Sequence, residues 1–413
     1  MTPTSDNIAA VTGTGSFCAG GRSVQELWQT LAASGVNCAP VPARLFTTAL
    51  DYPVFAAPGD YLTPDLQALL AEAGLVSLDS VSRTIHLAMA AIAEAIAQAG
   101  IPLTALRAQR VGIAIGTTVG CTFHDEEYYS AWRRGDNPPL DPVSYFLNCN
   151  IAEAVHRLLK THGPTAVVTN ACASGTDAIG MAKDWLEHDF CDIAIAGGAD
   201  ELSRVAYNGF ASLMLLSNQP CQPFDLKRKG LNLGEGAGVL LLERFADARA
   251  RKHPIQGFVR GYGAASDAFH PTAPHPEGRG LKMALKAAMQ EAAVSPDQIA
   301  YINCHGTGTK ANDLAETTAL ATLFNPDETA IASSKGVTGH TLGAAGGIEA
   351  VLTLKSLHEG SCHGTAGCLQ PDPDFAVTPL PQGMKREFNG HYGISESLAF
   401  GGGNAVLVLE GCA

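Results

Sequence analysis

The chain has 413 residues and a formal net charge of −13, with 46% hydrophobic and 16% charged residues. Its length allows a large buried core and about two or three domains of ~150 residues. The negative charge excludes a nucleic-acid-binding protein, which needs a basic surface, and disfavours binding to anionic membranes.

The sequence shows neither a membrane span nor a secretion signal. Its most apolar helical pattern, Ile85 to Ile101, contains Glu94 and Gln98 and falls short of the ~18 apolar residues that a spanning helix needs. The N-terminal residues lack the basic start and apolar segment of a signal peptide. The 11 cysteines show no C-x-x-C spacing, which favours free thiols in a reducing compartment. We therefore expect a cytoplasmic protein.

Short apolar runs alternate with longer amphipathic stretches along the chain. Strand-like runs lie at Ile8–Thr12, Val111–Ile115, Ala166–Thr169, Asp192–Ala196, Gly238–Leu242, Phe258–Gly261, Ile299–Asn303, Ala330–Ser333, Gly393–Ser395 and Ala405–Leu409. Helical patterns lie at Val24–Ala33, Ser80–Gln98, Ile151–Lys160, Ser174–Glu187, Leu281–Ala292 and Ala344–Leu357. The alternation predicts an α/β architecture with buried strands. Because the order of elements repeats, we expect two similar α/β halves, residues 1–253 and 254–413, packed as one body.

One cysteine is distinguished by its position. The segment VVTNACASG runs from a predicted strand through small residues into a predicted helix, with Cys172 at the junction. The free N–H groups and the positive end of the helix dipole favour a thiolate there, and they can stabilise an oxyanion. The pattern indicates a nucleophile, although a buried cysteine in a tight turn also fits it.

Two histidines lie in similar surroundings. His305 in CHGTGT and His340 in KGVTGH each stand among glycines and threonines near the end of a predicted strand. Lone histidines are more often structural than catalytic. Because open α/β sheets place their sites outside the carboxyl ends of strands, three such turns favour one shared site.

Metal and dinucleotide binding are the competing hypotheses. The two histidines are far apart in the sequence and show no H-E-x-x-H pattern, so we expect no metal. Gly13-Thr14-Gly15 follows a strand-like run, but Cys18 occupies the place of the third glycine in G-x-G-x-x-G. We expect a tight structural turn there.

Six longer stretches together carry a family resemblance: TNACASGTDAIGMA, DIAIAGGAD, PFDLKRKGLNLGEGAGVLLLE, NCHGTGTKANDLAE, SSKGVTGHTLGAAGGIEA and SLAFGGGNAVLVLE. They resemble the β-ketoacyl-[acyl-carrier-protein] synthases, in particular the elongating type II (KAS II-like) group of the thiolase-like superfamily. The resemblance implies a duplicated βαβαβαββ core in five layers, α-β-α-β-α. It also implies a decarboxylative Claisen condensation between an acyl-cysteine and malonyl-ACP, in fatty-acid or polyketide chain elongation.

The resemblance assigns the catalytic positions. Cys172, His305 and His340 match the family's Cys-His-His triad, in which both imidazoles stabilise the charge that develops during decarboxylation. The backbone N–H groups of Cys172 and Phe400 match the oxyanion hole. Phe400 also matches the gate of the acyl tunnel.

The resemblance also assigns supporting positions. Thr307 and Thr309 match residues that hydrogen-bond the pantetheine arm. Lys335 matches a buried lysine with an orienting role. Its expected acidic partners are Asp313, Glu316 and Glu349. A structural monovalent cation is a further expectation, with Asn303, Glu316, Glu349 and Ser395 around it.

The implied partner is an acyl carrier protein, whose phosphopantetheine carries the substrates, and no cofactor is implied. The implied assembly is a homodimer, or a heterodimer with a ketosynthase-like chain-length factor. A chain-length factor generally lacks the active cysteine, which is present here as Cys172. A thiolase would need a second cysteine near Phe400, and an initiating or chalcone-type enzyme would have asparagine at His340. Val119, near the expected dimer contact, is a candidate for capping the acyl tunnel.

Two departures from the family pattern matter. Glu396, just before the last stretch, replaces an amide, and within it Leu398 replaces an aromatic ring and Ala399 a glycine, which puts gate motion and acyl preference in doubt. Residues 64–82, where the family carries a basic cluster, contain no Lys or Arg. An acidic carrier protein needs local positive charge, for which Lys227-Arg228-Lys229 and Arg133-Arg134 are alternative sites.

Overall fold

A computed structural model describes residues 7–120, 126–148 and 150–412. The strands are β1 (Ala9–Cys18), β2 (Val111–Gly116), β3 (Thr165–Val168), β4 (Ile193–Asp200), β5 (Gly236–Arg244), β6 (Gly257–Ser266), β7 (Ile299–Asn303), β8 (Ala330–Ala332), β9 (Ser361–His363), β10 (Lys385–Glu387), β11 (Tyr392–Leu398) and β12 (Gly403–Gly411). The helices are α1 (Val24–Ala32), α2 (Pro64–Ala73), α3 (Arg83–Ala99), α4 (Leu103–Arg107), α5 (Glu126–Arg133), α6 (Asp141–Asn148), α7 (Ile151–Leu159), α8 (Ser174–Glu187), α9 (Arg204–Ser212), α10 (Phe245–Ala250), α11 (Arg279–Ala292), α12 (Lys310–Leu320), α13 (Lys335–Thr338) and α14 (Ala345–His358).

Ten strands join in the order β3-β2-β4-β5-β1-β6-β12-β11-β7-β8, and β9 pairs with β10 separately. From the centre outwards, the strands of the first half are β1, β5, β4, β2 and β3, and those of the second half are β6, β12, β11, β7 and β8. When β9 and β10 are left out, both halves have the order first, fifth, fourth, second and third strand, so the topology is duplicated. In each half, helices follow the first three strands. The last two strands pair antiparallel with each other, and the last one also pairs antiparallel with the first. The predicted βαβαβαββ repeat is confirmed. Its division at residue 253 falls between α10 and β6 and stays a prediction.

Helices α8 and α14 form the central layer. Each packs against strands of both halves of the sheet, and nearly all of α14 is buried. On the outer faces, α3 covers β1 and β5, and α11 covers β6 and β12. The layers therefore follow the expected α-β-α-β-α order, and burial on both faces explains why the strands read as nearly continuous apolar runs.

The segment Gly13-Thr14-Gly15 lies inside strand β1, so the prediction of a tight turn there is wrong. A Cβ atom on Gly13 would lie 2.0 Å from the carbonyl oxygen of Ala95, and one on Gly15 would lie 1.9 Å from that of Ala91. Both oxygens belong to α3. The two glycines are therefore required by the close approach of this helix to the sheet.

Most predicted elements occur within a few residues of their predicted bounds. Several strands are longer than predicted, as β1 and β4 show. The helices α2, α4, α5, α6, α9, α10, α12 and α13 and the β9–β10 pair were not predicted. In the described part of the chain, no helix combines the length and apolar character needed to cross a bilayer.

Gly15→Ala tests the close packing of α3. We expect it to lower the free energy of unfolding by about 1–3 kcal/mol, because the added methyl group overlaps helix backbone that cannot move alone. Urea unfolding measures the change. The matched control is Gly209→Ala on α9, where the added carbon would meet nothing within 4 Å. This control should be neutral or stabilising by up to about 1 kcal/mol; equal losses in both variants would contradict the packing argument.

Candidate active site

Cys172 lies in a tight turn between β3 and α8. The preceding residue, Ala171, has φ of +45°, which is uncommon for a residue other than glycine. The Ser174 hydroxyl donates to the Ala171 carbonyl at 2.6 Å and accepts the Asn170 N–H at 2.8 Å, which fixes the turn. The structure thus places Cys172 at the predicted strand-to-helix junction, with its side chain 3% exposed.

Burial controls the protonation of this thiol. It raises the pKa of Cys172 to about 11, although the nearby charge of Lys335 and the Phe400 N–H lower the pKa in part. Desolvation therefore opposes the preference for a thiolate that is expected at the helix N-terminus. The resting thiol is therefore protonated and needs a base for nucleophilic attack.

The two histidines meet beside this sulfur. His340 Nε2 lies 3.0 Å from Cys172 Sγ, and the His305 and His340 rings are nearly perpendicular with centroids 5.2 Å apart. Burial, reinforced by the charge of Lys335, lowers the pKa of both imidazoles well below 6.5. Both rings are therefore neutral at physiological pH, so each can donate one hydrogen bond and accept one.

Lys335 fixes the orientation of His305. Its Nζ is 3.2 Å from His305 Nδ1 and pairs with Glu349. Because an ammonium group has only donors, Nδ1 must accept, and the proton of the neutral ring is placed on Nε2. Burial raises the pKa of Glu349 to about 7, against the opposing effect of Lys335. The lysine is therefore a buried positioning group rather than a surface cation.

The other two expected acids, Glu316 and Asp313, have different partners. Glu316 accepts the backbone N–H groups of His305 at 2.5 Å and Gly306 at 2.8 Å, which holds the turn carrying the histidine. The structure places Asp313 with Arg228 at 3.2 Å instead of with Lys335. Arg228 is consequently 4% exposed, so the run Lys227-Arg228-Lys229 presents only its outer two residues to solvent.

A cavity of about 220 Å³ opens above the sulfur and contains Thr307 and Thr309 in its lining. Their hydroxyl oxygens are 2.9 Å apart. The Phe400 ring stacks on Phe210 with centroids 5.2 Å apart and an interplanar angle of 18°. Ala399 is extended, with φ of −114°, so an alanine there causes no backbone strain.

Sequence reasoning missed two residues that hold this cavity. Phe210 on α9 stacks on Phe400 and presents its edge to His340, with ring centroids 6.3 Å apart. The backbone N–H of Asp267 donates to the Gly402 carbonyl at 2.8 Å, and its carboxylate accepts the Gly280 N–H at 2.9 Å. Neither residue lies in a motif that signals chemistry.

Val119 lies at one wall of a separate groove of about 420 Å³. The apolar side chains of this groove include Phe146, Leu147, Ile151 and Val167. Val119 also packs against the hydrophobic cluster that contains Phe210 and Phe400. It therefore separates the groove from the region of the catalytic cavity, which is consistent with its expected place at the end of an acyl tunnel.

The oxygen atoms at the expected cation site are free to bind a cation. Three buried oxygens accept no hydrogen bond from any described residue: Asn303 Oδ1, Ser395 Oγ and Glu349 Oε2. Asn303 and Ser395 pair across β7 and β11, and Asn303 Nδ2 donates to the Glu349 carbonyl at 3.3 Å. These oxygens fit a hard cation.

The catalytic trio itself is also a possible metal-ligand set. Donor atoms of Cys172, His305 and His340 all lie within 4.8 Å of one another. Zn²⁺ accepts thiolate and imidazole ligands, so sequence spacing alone did not exclude it. The expectation that no metal binds at the catalytic centre stays a prediction.

Models of one protein family match most of the chain. Residues 7–248 match the family model for the β-ketoacyl synthase N-terminal domain, and residues 256–368 match that for the C-terminal domain. The 3-oxoacyl-[acyl-carrier-protein] synthase 2 of Staphylococcus aureus is 33% identical, with 98% of this chain and 99% of the relative covered. The protein of the same name from Synechocystis is 32% identical, with 97% of both chains covered.

Solved ketosynthase structures have the same fold as this chain. The ishigamide ketosynthase/chain length factor is 29% identical with a TM-score of 0.87, covering 98% of this chain and 99% of that chain. A β-ketoacyl synthase from Burkholderia phymatum is 28% identical with a TM-score of 0.86, covering 98% and 100%. The chain therefore belongs to the β-ketoacyl synthase family and is a ketosynthase, an acyltransferase that forms carbon–carbon bonds in fatty-acid or polyketide chain elongation.

Proposed function

We propose that Cys172 carries the acyl chain, that His340 moves its proton and that His305 stabilises the enolate formed from a malonyl thioester. The observation that carries this assignment is the 3.0 Å contact between His340 Nε2 and Cys172 Sγ, with His305 beside it and oriented by Lys335. The protonated thiol needs a neutral base, and the lowered pKa of His340 supplies one.

The first half-reaction transfers an acyl group to the enzyme. His340 Nε2 accepts the thiol proton while Cys172 Sγ attacks the carbonyl carbon of an acyl-pantetheine thioester. The backbone N–H groups of Cys172 and Phe400 stabilise the tetrahedral oxyanion. When this intermediate collapses, the carbon–sulfur bond to pantetheine breaks, and His340 returns the proton to the leaving thiolate.

The second half-reaction forms the carbon–carbon bond. A malonyl thioester loses CO2, and the bonding electrons move into an enolate whose oxygen accepts a hydrogen bond from His305 Nε2. After its proton has passed to the pantetheine thiolate, His340 is neutral with Nε2 unprotonated, and exchange with water moves the ring proton to Nε2, which then becomes the second donor. The enolate carbon attacks the acyl-cysteine, the bond between the acyl carbon and Cys172 Sγ breaks, and the thiolate takes up a proton from water. The product is a β-ketoacyl thioester two carbons longer.

The cavity and the relatives together indicate how the substrate is carried. Thr307 and Thr309 present hydroxyl groups along the cavity above the sulfur and are suited to hydrogen-bond the amides of a pantetheine arm. The names of the curated relatives specify an acyl carrier protein as the substrate carrier. We propose the same partner for this chain, with no redox or group-transfer cofactor of its own. A cation held by the donor oxygens near Glu349 would supply positive charge beneath His305.

The assembly and location are part of the same proposal. Strand β3 lies at one edge of the large sheet with half-buried residues, which leaves its outer backbone groups for pairing with a second subunit. One similar structure is described as a ketosynthase in complex with its chain length factor. We expect a homodimer or such a heterodimer, in which this chain is the catalytic subunit because it contains Cys172. We expect it to act in the cytoplasm.

Cys172→Ala tests the nucleophile. After incubation with an acyl carrier protein loaded with a series of acyl chains, we expect intact-mass analysis to show an acyl adduct on the wild type and none on the variant. Condensation should fall by at least about 10³-fold, because among the described residues Cys172 is the thiol that lies beside the two imidazoles. Cys412→Ala is the matched control and should acylate normally. Wild-type elongation by Cys172→Ala would refute the mechanism.

His305→Ala separates the two half-reactions. Loss of the Nε2 donor should lower CO2 release from malonyl-ACP by about 10²-fold, while acylation of Cys172 changes by less than about tenfold. Both steps are measured on the same preparation. Lys355→Met, which removes a lysine paired with Glu359 at the far end of α14, is the control. An equal loss in both steps would contradict the assignment.

The raised pKa of Cys172 predicts the pH dependence of its alkylation. Only the thiolate reacts with iodoacetamide, so the rate should rise roughly tenfold per pH unit from pH 7 towards 10 without a plateau. The sign follows from a pKa of about 11, below which the thiol form dominates. Mass analysis of the modified residue measures the rate. A plateau below pH 8 would show a preformed thiolate instead.

A further inference from the structure

Asp200 is a fully buried acid that the reaction steps above do not use. It ends strand β4 and is 0% exposed. Its carboxylate accepts hydrogen bonds from the Thr117 hydroxyl and the Thr118 N–H, each at 2.7 Å, and from the Val119 N–H at 3.3 Å. A fourth donor is the Gly343 N–H, also at 2.7 Å. Burial raises the pKa of this carboxyl group, and the four donors act against that rise.

The four donors belong to two segments that border the cavities. Residues 117–119 follow β2 and lead to Val119, which separates the apolar groove from the region of the catalytic cavity. Gly343 comes shortly after His340 in the chain, and His340 Nε2 contacts the nucleophilic sulfur. Asp200 therefore joins one wall of the groove to the turn that carries the proposed base.

These two segments are also in direct backbone contact. A Cβ atom on Gly343 would lie 2.7 Å from the Cα and carbonyl carbon of Thr117 and from the nitrogen of Thr118. Leu342, just before this glycine, has φ of +54°, which is uncommon for a residue other than glycine. Such strain persists only where the surrounding structure holds it. A displacement of the loop is therefore transmitted to the turn.

Thr118 connects the same loop to the nucleophile. Its hydroxyl donates to the Ala171 carbonyl at 3.1 Å, and Ala171 immediately precedes Cys172. The Ser174 hydroxyl donates to the same carbonyl, so the loop and the first turn of α8 share one acceptor. Residues 117–119, the turn before Cys172 and the turn after the proposed base thus form one hydrogen-bonded junction around Asp200.

We propose that Asp200 is a positioning residue for acyl-chain selection, because it holds the Val119 wall of the groove in a fixed place relative to the two catalytic turns. The inference rests on the proposed function, since it takes Cys172 as the acyl carrier. An acyl chain that reaches Val119 presses on a loop that cannot yield without breaking hydrogen bonds to Asp200. The junction therefore limits the chain length, and a chain beyond that limit also displaces the base.

A purely structural role is the competing explanation. A buried carboxylate that satisfies several donors stabilises the fold wherever it lies, since unsatisfied buried donors are costly. In that case the loss of Asp200 would lower the stability, and the rates for all chain lengths would fall together. Chain selection therefore distinguishes a positioning role from a structural one.

Asp200→Asn tests the proposal, because an amide keeps the size of the side chain but offers one oxygen where two accept. Acyl carrier proteins loaded with straight saturated chains of increasing length serve as donors, and intact-mass analysis follows the acylation rate of Cys172. For the first chain that the wild type discriminates against, we expect the rate relative to the best chain to rise by at least about tenfold, since the wall yields. A uniform fall in all rates, or an unchanged profile, would overturn the proposal.

A second pair of variants decides the matter when Asp200→Asn does not fold. Thr118→Val leaves the carboxylate in place and removes the hydroxyl that contacts the Ala171 carbonyl. We expect its profile to shift towards longer chains, as for the asparagine variant. Thr118→Ser keeps the hydroxyl and should restore the wild-type profile. Equal profiles for the valine and serine variants would contradict the proposal.

Glu243→Gln is the matched control. It changes another buried acid, near the end of β5, which accepts the Thr12 hydroxyl at 2.6 Å and pairs with Arg251. Its unfolding midpoint should fall while its chain-length profile stays that of the wild type. A shifted profile would show that lost stability alone alters chain selection, and would overturn the inference. Failure of the wild type itself to form any acyl adduct would refute the proposed function, and the inference with it.

Discussion

The contact of Lys335 with both Glu349 and His305 organises the active site. A lysine that is 1% exposed is stable only when its charge is paired, and Glu349 on the central helix provides that pairing. Because the ammonium group has no acceptor, it also determines which nitrogen of His305 carries the proton. One ion pair therefore connects the stability of the central layer with the direction in which His305 donates.

The fold brings these groups together through its duplication. The nucleophile lies on the turn that enters α8 of the first half, and both histidines lie on turns of the second half. Helices α8 and α14 pack against each other between the two halves of the sheet, so the turns before them converge. The three side chains are almost fully buried. Desolvation accordingly raises the pKa of Cys172 and lowers those of the histidines, which favours neutral groups over a preformed thiolate–imidazolium pair.

Much of this arrangement was predictable from the sequence. Most of the ten main strands gave apolar runs because they are buried on both faces, and Cys172, His305 and His340 lie on turns of small residues that stand out from their surroundings. Other features depend on tertiary contacts that no local pattern records. Gly13 and Gly15 resembled a turn because the sequence does not show that α3 crosses them. Asp313 was expected beside Lys335, but the inward turn of Arg228 from an apparently exposed basic run brings it a different partner. Phe210 was missed because its ring contacts His340 and Phe400, which are distant from it in the sequence.

The segment that carries Phe400 is joined to its neighbours by backbone hydrogen bonds. The Gly401 N–H donates to the Pro271 carbonyl at 2.7 Å, and Asp267 connects the Gly402 carbonyl to the first turn of α11. Rotation of the Phe400 ring about its own side-chain bonds leaves these backbone bonds in place, whereas a shift of the backbone at residues 400–402 would break them. Any movement of this backbone is therefore coupled to residues 267–278, whose stiffness limits it.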